Sequence, residues 1–291
     1  MKKLLLFCFA LMVLATSCSE LNKAAKSNSP AYKLQIAEKY FAIAEKQLPD
    51  SASKKEKRKQ RKKAASSYER CLPLLEELTT LTRGDTSYER VSFMHAKSYY
   101  GIKDYVLAGY YLEHFAKTFP ISRYAEECSF LSAICQYKES PVHELDQEST
   151  GSAIDQFQLF LSNYPGTQLK DSCNNLIDRL RAKLETKDHA NSMLYVKTRN
   201  FEAADVALRN FLRKWPNSPH REEVLFSILL MDHDLALNSV EGKRSSRIEA
   251  GMRSFDTFAD AFPESERLKE AQRLKADLNE LYERSKRTQT P

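Results

Sequence analysis

Six cysteines, six histidines and the triplet Asp232-His233-Asp234 are the residues of this chain whose types could do metal, redox or acid–base chemistry. Their spacing argues against most of it. Cys8 lies in an apolar leader and Cys18 at its end, which leaves Cys71, Cys128, Cys135 and Cys173. None forms a Cys-x-x-Cys pair, and Cys128 and Cys135 stand two helical turns apart, too far for a bridge within one helix. Burial as small hydrophobes is the default for all four, with a bridge between helices as the alternative. His95, His114, His143, His189, His220 and His233 occur singly, outside any zinc-binding spacing. Adjacent residues of a helix point to different faces, so the Asp-His-Asp triplet reads as a polar helix segment. The sequence has no nucleophile elbow and no phosphate-cradling glycine loop. The expectation is a protein that is not an enzyme and that uses no cofactor and no metal.

Cys18 stands apart from the others. Met1-Lys2-Lys3 precedes an apolar run from Leu4 to Ala15, and Thr16-Ser17-Cys18 follows. A basic start, a run too short to span a bilayer comfortably and small residues at its end describe a secretory signal peptide over residues 1–17. Cys18 after Ala15-Thr16-Ser17 looks like a bacterial lipobox, in which that cysteine receives lipid and becomes the mature N-terminus; an ordinary secreted protein is the alternative. The Leu usual three places before the cysteine is absent, with Leu14 one place too early. By resemblance to bacterial lipoproteins, Ser19 rather than Asp favours the outer membrane, and the single Glu20 is a poor match to a surface-display cluster. Residues 18–30, rich in Ser, Asn, Lys and Ala, then form a tether for a domain facing the periplasm.

The elements that must carry this chain are helices. Seven glycines and abundant Leu, Ala, Lys and Glu argue against a barrel, a sandwich or a nucleotide-binding α/β fold. The formal charge of +6 is concentrated in Lys54 to Lys63, which holds eight basic residues and one acid. The export signal argues against nucleic acid as its partner. The run is either a solvated helix start or a face for anionic head groups or an acidic partner.

One phrase occurs four times. Ala108, Leu112, Phe115, Phe119, Pro120; Ala153, Phe157, Phe160, Tyr164, Pro165; Ala204, Leu208, Phe211, Trp215, Pro216; and Gly251, Phe255, Phe258, Phe262, Pro263 share the same steps, and Ser122, Thr167, Ser218 and Ser265 close them. Steps of four, three and four place the apolar groups on one helical face, and Pro with a hydroxyl marks a stop and a new cap. A face repeated in this way stacks on copies of itself. Stop signals give helices over 31–48, 54–81, 89–100, 105–119, 123–138, 152–164, 169–194, 201–215, 220–238, 247–262 and 265–285, with 286–291 as a disordered tail. A degenerate fifth copy is expected around Ala64, Tyr68 and Leu72.

The phrase resembles helix B of the tetratricopeptide repeat, with Ala96 and Tyr99 standing where helix A would carry them. Departures are the phenylalanines at the seventh step and the period, since the aromatic-Pro pairs lie 45 to 51 residues apart. Lipobox, about five long repeats and the insertion Ser140 to Thr150 together look like the BamD family, lipoproteins of the outer-membrane β-barrel assembly machine. The resemblance implies an all-α, right-handed superhelix of about five hairpins with a C-terminal capping helix. It also implies a non-enzymatic scaffold that binds the periplasmic domains of a BamA-like barrel-inserting protein and receives unfolded outer-membrane β-barrel proteins. Residues 31–140 would then hold the substrate groove, with Tyr99, Tyr100, Tyr40 and Phe41 as candidate aromatics, although tyrosines at helical spacing are more often core. Residues 141–285 would bind the partner, chiefly near 190–285. The competing readings are another periplasmic adaptor, for cell-wall coordination or as a secretin pilotin, and a glycan-binding lipoprotein. The last wants exposed Trp platforms, and the single Trp215 sits in a repeat core position.

Overall fold

A computed structural model describes residues 20–47 and 54–288, and every regular element among them is helical. The signal peptide, Cys18 and the end of the tail lie outside the described residues. After a helical segment over 20–26 come five hairpins. They are α1 (Pro30–Lys46) with α2 (Lys54–Leu81), α3 (Tyr88–Ile102) with α4 (Tyr105–Thr118), α5 (Ala125–Glu139) with α6 (Glu148–Asn163), α7 (Lys170–Lys197) with α8 (Phe201–Lys214), and α9 (Arg221–Leu237) with α10 (Glu241–Ala261). A last helix, α11 (Leu268–Thr288), follows. The all-α expectation of consecutive hairpins with a final helix holds. The chain forms two compact units, divided between Leu180 and Arg181 within α7.

The repeated phrase is buried as its spacing requires. Ala108, Ala153 and Ala204, the large apolar residue four later and the Phe seven later all lie in the core, and so do Gly251, Phe255 and Phe258. In the degenerate first copy Ala64 and Tyr68 take the equivalent positions, but Cys71 rather than Leu72 fills the seventh step. No aromatic-Pro pair follows, and α2 runs on to Leu81.

At the four corners the backbone is nearly the same. Phe119, Tyr164, Trp215 and Phe262 leave the helix with φ between −124° and −137° and ψ between 62° and 66°. The following proline disfavours the helical region for the residue before it, which sets that exit. Each aromatic N–H still donates to the Phe carbonyl four back, at 2.8–2.9 Å. The hydroxyl then accepts the N–H two residues on, from Tyr124, Leu169, His220 and Arg267, at 3.0–3.1 Å. Three of the hydroxyls also donate to a glutamate in the first turn of the preceding helix A: Ser122 to Glu89 (2.7 Å), Thr167 to Glu126 (2.7 Å) and Ser265 to Glu222 (2.6 Å).

Two helix starts differ from the sequence reading by four residues or more, and α11 runs to Thr288, into the stretch expected as a disordered tail. α6 begins at Glu148 rather than Ser152, because the insertion folds on itself. Gln147 Nε2 donates to the carbonyls of Val142 (2.8 Å) and Leu145 (2.9 Å), and the buried Thr150 hydroxyl donates to Gln147 Oε1 (2.7 Å). α10 begins at Glu241 rather than Arg247, because Arg244 and Arg247 reach back to Ser239 and tighten the turn. In the second unit α9 is buried nearly all round, from Val224 to Ala236, as befits a helix at the centre of a unit.

Gly101 shows how closely the first hairpins approach. A Cβ there would come within 2.2 Å of the Tyr68 ring, which its hydroxyl pins to Glu45 and which meets Phe41 edge-on at 5.7 Å. Gly101→Ala is expected to lower the urea midpoint of the first unit by the equivalent of about 1–3 kcal/mol. Gly151→Ala, in open space on α6, should instead raise stability by about 0.5–1 kcal/mol. Equal effects from the two substitutions would contradict the close approach.

Candidate functional site

Tyr99 and Tyr100 are neighbours on α3 and therefore face different sides of it, about 100° apart. The buried Tyr99 donates its hydroxyl to Glu76 Oε1 at 2.6 Å and stacks on Tyr111, with ring centres 5.3 Å apart. Its pKa is raised, first by burial and then by the glutamate. Beside this stack lies a groove of about 350 Å3 whose walls include Glu76 of α2, Arg83 in the turn after it, His95 of α3, and Tyr110, Tyr111 and His114 of α4. Tyr110 is 64% exposed and lies parallel to His114, and Val106, 66% exposed, stands one turn before it. The groove thus carries exposed aromatic rings beside one carboxylate and one guanidinium, with the aliphatic Val106 next to it on α4. Such a surface suits an extended or helical peptide.

Tyr100 is half-buried on the other side, 6.0 Å from Tyr105, where it lines a different concavity. Tyr40 and Phe41 are packed in the core of the first unit and offer no groove surface. Tyr110 was not among the sequence candidates. It follows Ala108 by two positions, about 200° round the helix from the repeated face, and that offset is the signal that marks an outward aromatic.

Cys71, Cys128, Cys135 and Cys173 are all free and buried. Burial pushes the thiols of Cys71 up to about 11 and of Cys128 and Cys135 up to about 12, so they are unreactive thiols at neutral pH. Asp232 and His233 turn to different neighbours. Asp232 Oδ2 accepts from Ser254 of α10 at 2.5 Å, while His233 Nε2 lies 3.6 Å from Asp277 of α11. Burial raises the Asp232 pKa, and the Ser254 hydroxyl counters it.

His189 meets His220 and Glu223, some thirty residues further on, in the second unit, with the ligand atoms within 4.8 Å of one another. The two rings stack at 4.0 Å, 10° from parallel. In-plane lone pairs of parallel rings do not converge on one point, so a metal could be held there only after a ring turned. As arranged, the trio is an imidazole stack with a carboxylate 3.3 Å from His189 Nε2. Trp215 is tied down too, its Nε1–H donating to Asp188 at 2.8 Å.

Fold and groove thus define a helical-hairpin repeat protein with a peptide-sized surface on its first unit. The chain belongs to the outer membrane lipoprotein family YfiO, whose family model matches residues 50–225. None of the described helices is long and apolar enough to cross a membrane. No curated protein matches the chain. A solved structure from the computational design of self-assembling cyclic homo-oligomers aligns over 98% of this chain and 97% of its own at 12% identity. Its TM-score of 0.20 is too low for that likeness to carry an argument.

His95 gives the groove a pH dependence. It is buried edge-on to Tyr99 and Tyr111 with Nε2 unpartnered, and burial lowers its pKa from 6.5 to about 4, against a small opposing pull from Glu76. Below its ordinary value the unfolded chain takes up a proton that the folded chain refuses, so stability is full above pH 6.5 and falls as pH drops toward 4. The loss should approach about 3 kcal/mol. His95→Leu should remove that part of the decline in urea titrations; an unchanged pH slope would contradict the assignment.

Proposed function

We propose that this protein is a non-enzymatic scaffold of the outer-membrane β-barrel assembly complex. In this reading Cys18, exposed by removal of residues 1–17, carries the lipid that holds the chain to the periplasmic side of the outer membrane, and residues 18–30, helical over 20–26 rather than a free tether, link it to the repeats. The repeats over 31–140 receive unfolded β-barrel proteins, and those over 141–285 bind the periplasmic domains of a BamA-like barrel-inserting subunit. The observation that carries the reading is the exposed strip of Val106, Tyr110 and His114 along a groove, in a chain of the outer membrane lipoprotein family. A row of one aliphatic and two aromatic side chains one turn apart offers contacts to a bound strand or helix, and Glu76 and Arg83 can fix its polar groups.

A photo-reactive amino acid placed at Tyr110 in the lipidated protein tests both halves of the proposal. After irradiation and solubilisation of the outer membrane, we expect adducts with unfolded barrel proteins at Tyr110. Co-purification of a large barrel protein with repeated periplasmic domains is expected as well. Tyr110→Ala should weaken substrate capture several-fold and leave that co-purification unchanged. Recovery only of cell-wall enzymes, a secretin or glycan-uptake proteins would sink the assembly reading in favour of another envelope adaptor.

A further inference from the structure

The side of α3 opposite the tyrosine–histidine groove is basic. A concavity of about 770 Å3 is lined by Lys57, Arg58, Arg61 and Lys62 of α2 and by Ile102 and Lys103 at the end of α3. It adjoins a second of about 550 Å3, which shares Arg61 and Lys103 and adds the rings of Tyr68, Tyr100 and Tyr105. The neighbouring Lys97 is already held between Glu45 (3.0 Å) and Glu127 (2.8 Å). Lys57, Arg58, Arg61, Lys62 and Lys103 have no ion pair or side-chain hydrogen bond among the described residues. Five cations around one hollow repel one another, and an anion relieves that repulsion.

The course of the chain says where the hollow faces. α1 and α2 run antiparallel, with Lys33 against Glu77 and Glu45 against Tyr68. The basic turns of α2 therefore extend beyond the C-terminal end of α1. The segment over 20–26 runs back along α1, with Ala25 O accepting from Lys33 and Glu20 pairing with Lys39 at 2.5 Å. Its N-terminal end thus heads for the same end of α1, and Lys39 stands only about 10 Å along the helix from Lys46. Glu20, the first described residue, and the basic hollow thus lie toward one end of the first unit.

We propose that this hollow binds the phosphate headgroups of anionic lipids in the leaflet that holds the anchor. The proposal rests on lipidation of Cys18, as set out above. Lysine and arginine supply the charge complement to phosphate, and Tyr100 and Tyr105 are residues suited to the headgroup level, with an apolar ring and a polar tip. A basic face at the tether end would fix how the first unit stands on the membrane, leaving the opposite side of α3 open for peptide.

The test uses the lipidated protein in phosphatidylcholine vesicles with or without phosphatidylglycerol. An amine-acetylating reagent is applied, and modification of Lys57, Lys62 and Lys103 is read by mass spectrometry against Lys269 of α11. Phosphatidylglycerol should lower labelling of the three lysines by about threefold or more, and about 1 M salt should abolish the protection. Arg58→Gln with Arg61→Gln should reduce the protection without unfolding the protein. Equal labelling in the two vesicle types would overturn the proposal. Equal protection by inorganic phosphate without vesicles would also overturn it, by making a free anion the ligand. The anchor is read separately: failure to float with pure phosphatidylcholine vesicles contradicts lipidation, whereas flotation restored by phosphatidylglycerol would still support the headgroup site.

Discussion

A hydroxyl placed two residues after an aromatic-Pro pair is the contact on which the rest of this structure depends. Proline forces the aromatic residue out of the helix, the hydroxyl takes the N–H that opens the next helix, and in three copies it also gives its proton to the preceding helix A. The same few atoms end one helix, start another and bind the pair to its predecessor. Each such charge-assisted bond contributes about 1–2 kcal/mol, modest against the buried phenylalanines. Its effect is directional: hydrophobic burial sets how much the helices stack, and the corner sets the angle at which they do so. Around Ser122 this is supported by Phe119 against Tyr88 and by Tyr124 stacked on Phe93 at 3.9 Å.

Once the hairpins are fixed this way, function is left to the faces that the repeat does not use. On α3 and α4 the repeated face holds Ala96, Ala108, Leu112 and Phe115 in the core. The surface around α3 carries an aromatic groove on one side and a cationic hollow on the other. The two surfaces ask for different occupants, one peptide-like and apolar in part, the other anionic. Under the function proposed above, a tethered scaffold facing a membrane and a client at once would use both.

Much of the scaffold was legible in the chain because the corner is local. Pro120, Pro165, Pro216 and Pro263 with their hydroxyls announce helix ends whatever surrounds them, and the four-three-four spacing names the buried residues directly. The starts of α6 and α10 were misplaced because they depend on side chains folding back on the loop, Gln147 and Thr150 in one case and Arg244 and Arg247 in the other. Candidate site residues were harder to read. Tyr40, Phe41 and Tyr99 share type and spacing with core residues and are buried, whereas Tyr110 is exposed although it adjoins Tyr111. Residues that meet only through the tertiary fold, such as His189 with His220 or Arg61 with Lys103, leave no trace in spacing at all.

The corner hydroxyl and the helix A glutamate act together to join consecutive hairpins. A double-mutant cycle on Ser122→Ala and Glu89→Ala, read by urea denaturation, measures that coupling directly. The account predicts an interaction free energy of about 1 kcal/mol or more between the two sites. Additivity within about 0.3 kcal/mol would mean that the bond between Ser122 and Glu89 contributes nothing to the joint, and the corners would then be only helix stops.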